Sequence, residues 1–320
     1  MEFSAEHYPY PSQRTLVYGR QGMVATSQPL AAQAGLEMIK SGGNAVDAAI
    51  ATAACLTVTE PTSNGIGGDA FAIIWMNNQL FGINASGPAP ASISLEALHE
   101  RGISEMPVHG AVPITVPGAP AAWAALSERF GRLPLAVVLQ PAIDYARHGF
   151  PVSPITAQAW KRAWETAKTH YDSMVLPHWK KAFTISGQPP KAGELWRSSE
   201  QAETLEIIAK SQSRDFYTGG LAHKIDAFVK EAGGFLTKED LAAYRIRWEK
   251  PLSVNYRGFE VWELPPNGHG LVALMALNIL KQFSLDATET CDSLHLTMEA
   301  MNLSYSDGRA WIADPASMNV

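Results

Sequence analysis

Cysteine is scarce in this chain of 320 residues, which contains only two, Cys55 and Cys291. Neither has a C-x-x-C partner, which argues against a disulfide framework and against a zinc ribbon. Each cysteine lies in an apolar stretch with helical periodicity, and we expect both to be reduced core thiols, as in a cytosolic protein. The nine histidines show no close ligand spacing, so the sequence predicts no metal site and no cofactor.

Long hydrophobic runs and clustered basic residues are also missing. The longest small-apolar stretch, residues 45–58, contains Asp47 and is too short for the ~20 residues that a bilayer crossing needs. The first residues show no basic leader before an apolar block, so we expect no signal peptide, no membrane partner and a cytoplasmic location. The net charge of −6 argues against a nucleic-acid partner, because phosphate neutralisation needs clustered Lys and Arg.

The composition that remains is that of a globular protein, with 46% hydrophobic and 18% charged residues. The length suffices for one large domain or two ordinary ones. Because no internal repeat or low-complexity linker interrupts the chain, we interpret it as one continuous architecture.

The pattern is mostly helical, with two β-hairpins. We expect Ser27 to cap a first helix and Asn44 to cap a second one, with Asp47 in its first turn. The hairpins are predicted around residues 76–79 and 257–258, and the first strand is apolar on both faces, which is typical of a sheet covered on both sides. Four strands are few for such a sheet. Either a second chain completes the fold, or this chain is a fragment of a longer precursor.

Two glycine-containing loops are candidate binding sites. The first, residues 65–68, has Ala70 where a dinucleotide fingerprint has its third glycine, and it precedes a strand. We therefore interpret its glycines as permitting tight backbone approach and unusual dihedral angles. The second, residues 265–270, leads into an apolar helix. It is either an anion site on exposed N–H groups or an ordinary strand-to-helix turn.

A recognisable nucleophile is missing. The sequence contains no G-x-S-x-G elbow, no Walker loop and no cysteine in an activating context. The serines are numerous, but nothing pairs any of them with a particular histidine and acid. The chain alone therefore predicts no catalytic residue.

A series of ordered motifs resembles the γ-glutamyltranspeptidases and the related cephalosporin acylases of the N-terminal-nucleophile hydrolase superfamily. The longest of these motifs is G-G-N-A-V-D-A-A at residues 42–49. The others are found, in order, at residues 22–25, 60–61, 65–68, 116–118, 131–134, 140–143, 146–147 with 149–152, 216–217, 233–234, 241–244, 256–258 and 265–266.

The resemblance implies an α+β fold, the αββα sandwich, of which this chain is the helix-rich large-subunit region with few strands. Residues 21–320 correspond to that region, and residues 1–20 form an N-terminal extension. In the family a precursor cuts itself, and the new N-terminal threonine of the small subunit is the nucleophile, with its own α-amino group as base. The chain is expected to stop before the processing site. The resemblance therefore implies a C-terminal small subunit as partner and no catalytic residue in this chain.

One departure from the family concerns substrate binding. After the first hairpin, family members usually carry an arginine, and this arginine binds the α-carboxylate of the γ-glutamyl donor. This sequence has Ser86 at that position. A serine offers one neutral donor in place of a bidentate cation, which removes roughly 1.5–3 kcal/mol of binding. We therefore expect hydrolysis of glutaryl-type amides or weak γ-glutamyl hydrolysis.

Two alternatives remain open. In the first, Ser86 is an ordinary turn residue, and a cationic side chain from another position binds the substrate carboxylate. In the second, which belongs to a different class, the protein is a non-catalytic scaffold that keeps the fold as an interaction module.

Overall fold

The computed structural model describes residues 17–285 and 289–318, so the predicted N-terminal extension at residues 1–20 lies mostly outside the described part. The chain divides into two compact units. We call Gly19–Ala70 with Ala85–Ile246 the helical unit, and Phe71–Asn84 with Arg247–Val320 the sheet unit.

Helices dominate the described residues. They are α1 (Pro29–Lys40), α2 (Ala45–Thr59), α3 (Leu95–Glu100), α4 (Ala119–Phe130), α5 (Leu135–His148), α6 (Pro154–His170), α7 (Val175–Phe183), α8 (Ser199–Ser211), α9 (Arg214–Thr218), α10 (Gly220–Glu231), α11 (Lys238–Ala243), α12 (Gly270–Leu280) and α13 (Cys291–Trp311). A short 3-10 helix follows at Pro315–Ser317.

The strands form small sheets. They are β1 (Ala70–Met76), β2 (Gln79–Ala85), β3 (Phe150–Pro151), β4 (Leu195–Trp196), β5 (Arg247–Glu249), β6 (Leu252–Tyr256) and β7 (Phe259–Glu263). In the described residues β1, β2 and β5 form a three-stranded sheet in that order, whereas β3–β4 and β6–β7 are two-stranded. The pairs β2–β5, β3–β4 and β6–β7 are antiparallel.

The helical unit is built around α2, which packs against α1 and α5, while α5 also packs against α8. The alanine-rich sequence of α2 lets its neighbours come close. A Cβ placed on Gly35 of α1 would overlap the hydroxyl of Thr52. Side chains such as Ile50, Leu139 and Leu205 are at most 1% exposed, so one buried core of this unit lies between these four helices.

In the sheet unit α12 packs against α13 and against the β6–β7 hairpin. The small residues Ala300, Ser304 and Gly308 are the buried positions of α13, spaced four apart so that they share one face. The outward face of β1 is uncovered, because Phe71, Ile73 and Trp75 are 45%, 39% and 67% exposed.

The mostly helical pattern, both hairpins, and Asn44 as the cap of α2 with Asp47 in its first turn are confirmed. Two details are wrong. Gln28, not Ser27, caps α1, and the Ser27 hydroxyl donates to Glu60 instead. Cys291 is exposed at the first residue of α13, although Cys55 is buried as expected. The first strand is apolar on both faces, and one of these faces is exposed in the described residues. No described helix is long and apolar enough to span a membrane.

Candidate functional site

The turn that carries Ser86 is held by close backbone crossings within the helical unit. Ser86 and Gly87 are half-buried and follow directly on the end of β2. A Cβ on Gly87 would overlap the carbonyl of Val116, and a Cβ on Gly118 would overlap the carbonyl of Ala85. Glycine is therefore required at both positions, because any larger residue would overlap a carbonyl group. The two close crossings fix the path of the chain at position 86.

Hydrogen bonds connect this turn to the start of α4. The Val116 amide donates to the Pro88 carbonyl over 3.1 Å. The carbonyl of Gly68 accepts from the amides of Gly118 and Ala119, at 2.9 and 3.0 Å. Two amides at the N-terminal end of α4 that have no partner within the helix are thereby satisfied. The glycine loop, the Ser86 turn and the start of α4 thus form one connected backbone framework.

Asp69 is a polar group in this framework that sequence reasoning missed. Its carboxylate accepts a hydrogen bond from the Gly87 amide, next to Ser86. Burial raises the pKa of Asp69 above its usual range, and the Gly87 hydrogen bond opposes that shift only in part. Its position directly after the glycines of residues 65–68 was the available signal. Asp69 therefore fixes the turn through the Gly87 amide.

The glycine loop differs from its sequence interpretation. Gly65, Gly67 and Gly68 do not have the left-handed backbone that favours glycine. A Cβ on Gly67 would meet nothing within 4 Å. The prediction of unusual backbone dihedral angles at these glycines is therefore wrong, and so is the prediction of tight backbone approach at Gly67. These glycines instead present a surface without side chains.

The motif G-G-N-A-V-D-A-A has a structural explanation. Asp47 is fully buried and accepts from the amides of Asn44, Arg132 and Leu133 at 2.8–3.4 Å. Asn44 donates its side-chain amide to the Phe130 carbonyl at 2.6 Å. The two residues join the start of α2 to the end of α4, so this motif supports the site from a distance.

The loop at residues 265–270 belongs to the sheet unit. Its Asn267 accepts a hydrogen bond from the side-chain amide of buried Asn84 at 2.9 Å. The helix that follows, α12, has no side-chain cap. A Cβ on Gly270 would lie 2.6 Å from Glu263 Oε2, so the N-terminus of α12 already faces a carboxylate. This leaves less attraction there for a second anion.

Cysteine thiols and clusters of metal-ligating side chains are two further kinds of candidate catalytic group. Burial in an apolar helix raises the pKa of the Cys55 thiol well above its usual range, which keeps it protonated and unreactive. Residues 17–285 and 289–318 contain no group of three His, Cys, Asp or Glu side chains that could hold a metal ion. The predicted role of Ser86 in substrate binding stays a prediction.

Solved structures match this architecture over nearly the whole chain. The crystal structure of cephalosporin acylase from Bacillus halodurans superposes with a TM-score of 0.94 at 52% identity, covering 100% of this chain and 60% of that one. The Helicobacter pylori γ-glutamyltranspeptidase structure gives a TM-score of 0.88 at 29% identity, covering 95% of this chain and 88% of that one. The fold is therefore the α+β fold of N-terminal-nucleophile hydrolases, in its large-subunit part.

The sequence comparisons place the chain more narrowly. The family described as gamma-glutamyltranspeptidase matches residues 31–320. A glutathione hydrolase-like proenzyme of Bacillus subtilis, YwrD, is 36% identical over 310 residues. The chain belongs to the γ-glutamyltranspeptidase family. It covers 57% of the length of that Bacillus relative, which in turn matches 95% of this chain.

Proposed function

We propose that this chain is the large-subunit part of an amidohydrolase that cleaves γ-glutamyl or glutaryl-type amides through an acyl-enzyme. The proposal rests on Ser86, a neutral residue that the motif resemblance aligns with the family's carboxylate-binding arginine, and on the 52% identity of this chain to a cephalosporin acylase. A carboxylate bound by serine loses the two charge-assisted hydrogen bonds of a guanidinium. Ordinary transfer from glutathione is therefore disfavoured.

The nucleophile in this proposal is the N-terminal threonine of a C-terminal small subunit produced from the same precursor. Its hydroxyl attacks the amide carbonyl, its α-amino group accepts the proton, and the amine leaves with a proton as the acyl-enzyme forms. Water then releases the acid, or an amine acceptor takes the acyl group. The proenzyme name of the Bacillus relative and the length that this chain leaves unmatched support the second subunit.

The edge of the three-stranded sheet supports the same partner. β1 lies at the edge of the sheet in the described residues, with Phe71, Ile73 and Trp75 exposed on one face. An unpaired edge with an apolar face is a template for another strand and for a covering layer. A small subunit that contributes strands would supply both.

The experiment is to express the full-length precursor and measure two properties. Mass spectrometry should show two polypeptides, the smaller beginning with threonine. The purified enzyme should hydrolyse glutaryl anilide at least as fast as γ-glutamyl anilide. An uncleaved, inactive product would favour a non-catalytic scaffold, and a normal transpeptidase rate with glutathione would contradict the proposed specificity.

A variant tests the role of position 86 itself. Ser86→Arg should raise kcat/KM for γ-glutamyl anilide by about tenfold or more, the effect of a hydrogen bond to a charged group. Ser104→Arg, at an exposed loop position of the same unit, controls for added positive charge. An equal change in both variants would show that the position has no special part in substrate binding.

A further inference from the structure

A cluster of polar side chains in the sheet unit surrounds an arginine that the family resemblance does not assign. β2 and β5 pair so that Asn84 lies directly opposite Arg247. Asn267, in the loop between β7 and α12, accepts from Asn84 Nδ2 at 2.9 Å and from Arg247 Nη2 at 3.1 Å. One amide oxygen therefore connects the buried strand residue to the arginine.

The guanidinium of Arg247 is held in place by neighbouring side chains but remains accessible to solvent. Its Nε lies 3.3 Å from Glu249 Oε1, and its side chain is 41% exposed. Within residues 17–285 and 289–318, its Nη1 makes no hydrogen bond. Two nitrogens thus hold the orientation of the group, and the remaining N–H donors are available to a ligand. A planar guanidinium held in this way is suited to a carboxylate.

The nearby helix end is a weaker candidate for the same ligand. The N-terminus of α12 faces the carboxylate of Glu263, as the close approach of Glu263 Oε2 to Gly270 shows. Glu249 reduces the net charge at Arg247, but it contacts only the Nε side. Within this cluster, Arg247 is therefore the group that can supply a cation to an acidic ligand.

We propose that Arg247 binds the free carboxylate of a dicarboxylic acyl donor. The inference rests on the proposed function, since it assigns the acidic end of that substrate to the Asn84–Arg247–Asn267 cluster. Asn267 and Glu249 act as positioning residues for the guanidinium. The chemistry selects acyl groups with a terminal carboxylate over neutral acyl groups of equal length.

The test uses the processed full-length enzyme and two anilides, one glutaryl and one valeryl, which have the same chain length and differ in the terminal carboxylate. Arg247→Gln should raise KM for the glutaryl substrate about tenfold or more and leave kcat/KM for the valeryl substrate within about twofold. Arg247→Lys keeps the charge without the planar fork and should give a smaller rise. Equal losses on both substrates, or no loss on either, would overturn the proposal.

A matched control and a second measurement test the Arg247 site separately from the proposed amidase function. Arg257→Gln changes an exposed arginine in the turn between β6 and β7 and should affect neither substrate. Glutarate binding to the chain by calorimetry needs no nucleophile. It should be weakened by Arg247→Gln even if the enzyme has no amidase activity, so the two proposals can fail separately. Binding unchanged by Arg247→Gln and by Arg247→Lys would refute the site.

Discussion

The helical unit and the sheet unit differ in how far their apolar residues are covered. In the helical unit, α2, α5 and α8 bury side chains such as Ile50, Leu139 and Leu205 almost completely. The sheet unit is the smaller of the two, yet most of the large exposed apolar side chains belong to it. They include the outward face of β1 and positions along α13, such as Met298 at 65% exposure.

The difference shows where the chain encodes its own packing and where it does not. The apolar face of each central helix in the helical unit meets another helix of the same unit. The apolar residues of β1 lie on an edge strand without such a cover in the described residues. Soluble proteins seldom expose contiguous apolar patches without a binding purpose. The apolar faces of the central helices are therefore buried within the helical unit, whereas the sheet unit exposes an apolar surface in the described residues.

The largest expected effect is at the backbone crossing of the helical unit. Gly87→Ala would place a methyl group onto the Val116 carbonyl, which forces one backbone segment to move. We expect a loss of about 3 kcal/mol or more in the free energy of unfolding, at the upper end of overpacking effects. Urea denaturation of the chain measures it.

Gly67→Ala is the matched control, because a Cβ there meets nothing within 4 Å. Its effect should stay within about 0.5 kcal/mol, as for a surface substitution. Comparable losses for the two variants would show that the Ser86 turn is not held by this crossing.

A somewhat smaller loss is expected for Asp47→Ala. The substitution removes the acceptor for amides of Asn44, Arg132 and Leu133 around a fully buried carboxylate. Leaving buried donors unsatisfied costs about 1–3 kcal/mol. The denaturation midpoint of Asp47→Ala should fall accordingly. The midpoint of Asp47→Asn should fall less, because asparagine keeps one acceptor oxygen. Equal losses for the two variants would contradict the hydrogen-bonding explanation.

The sequence predicted the helical unit more accurately than the site. Boundaries such as those of α4 and α5 are readable because Gly131 and Gly149 follow directly on an apolar periodicity. The glycine at 87 and the carboxylate at 69 could not be assigned, because their partners Val116 and Gly87 are set by tertiary contacts. The arginine at 247 was missed for the same reason. Nothing in its local sequence places it opposite Asn84.

A substitution on β1 tests whether its exposed apolar face becomes buried in the full-length precursor. Trp75→Thr should change the stability of the chain alone by about 0.5 kcal/mol or less, since the indole is 67% exposed. In the full-length precursor the same change should cost about 2 kcal/mol or more, as for truncation of a buried aromatic residue. Thermal denaturation of both proteins gives the two values. A large loss in the chain alone would contradict the uncovered face.

The smallest effect concerns pH. Burial raises the pKa of Asp69 above its usual 3.8, so the native state binds this proton more tightly than the unfolded chain does. The stability that protonation contributes is present below about pH 3.8 and is lost as the pH rises through the native pKa. Asp69→Asn does not titrate there, so its stability relative to the parent chain should increase over that interval and then level off. Denaturation across pH 3 to 7 checks this, and a difference independent of pH would contradict it.

Hydrogen exchange tests most directly whether the sheet unit is completed by polypeptide outside this chain. We expect the amides of residues 45–59 to exchange slowly in the chain alone and in the full-length precursor. The amides of residues 70–76 that point away from β2 should exchange quickly in the chain alone. They should exchange about 100-fold more slowly in the precursor, since pairing of the edge strand requires opening before exchange. Equal protection of residues 70–76 in both proteins would contradict the account.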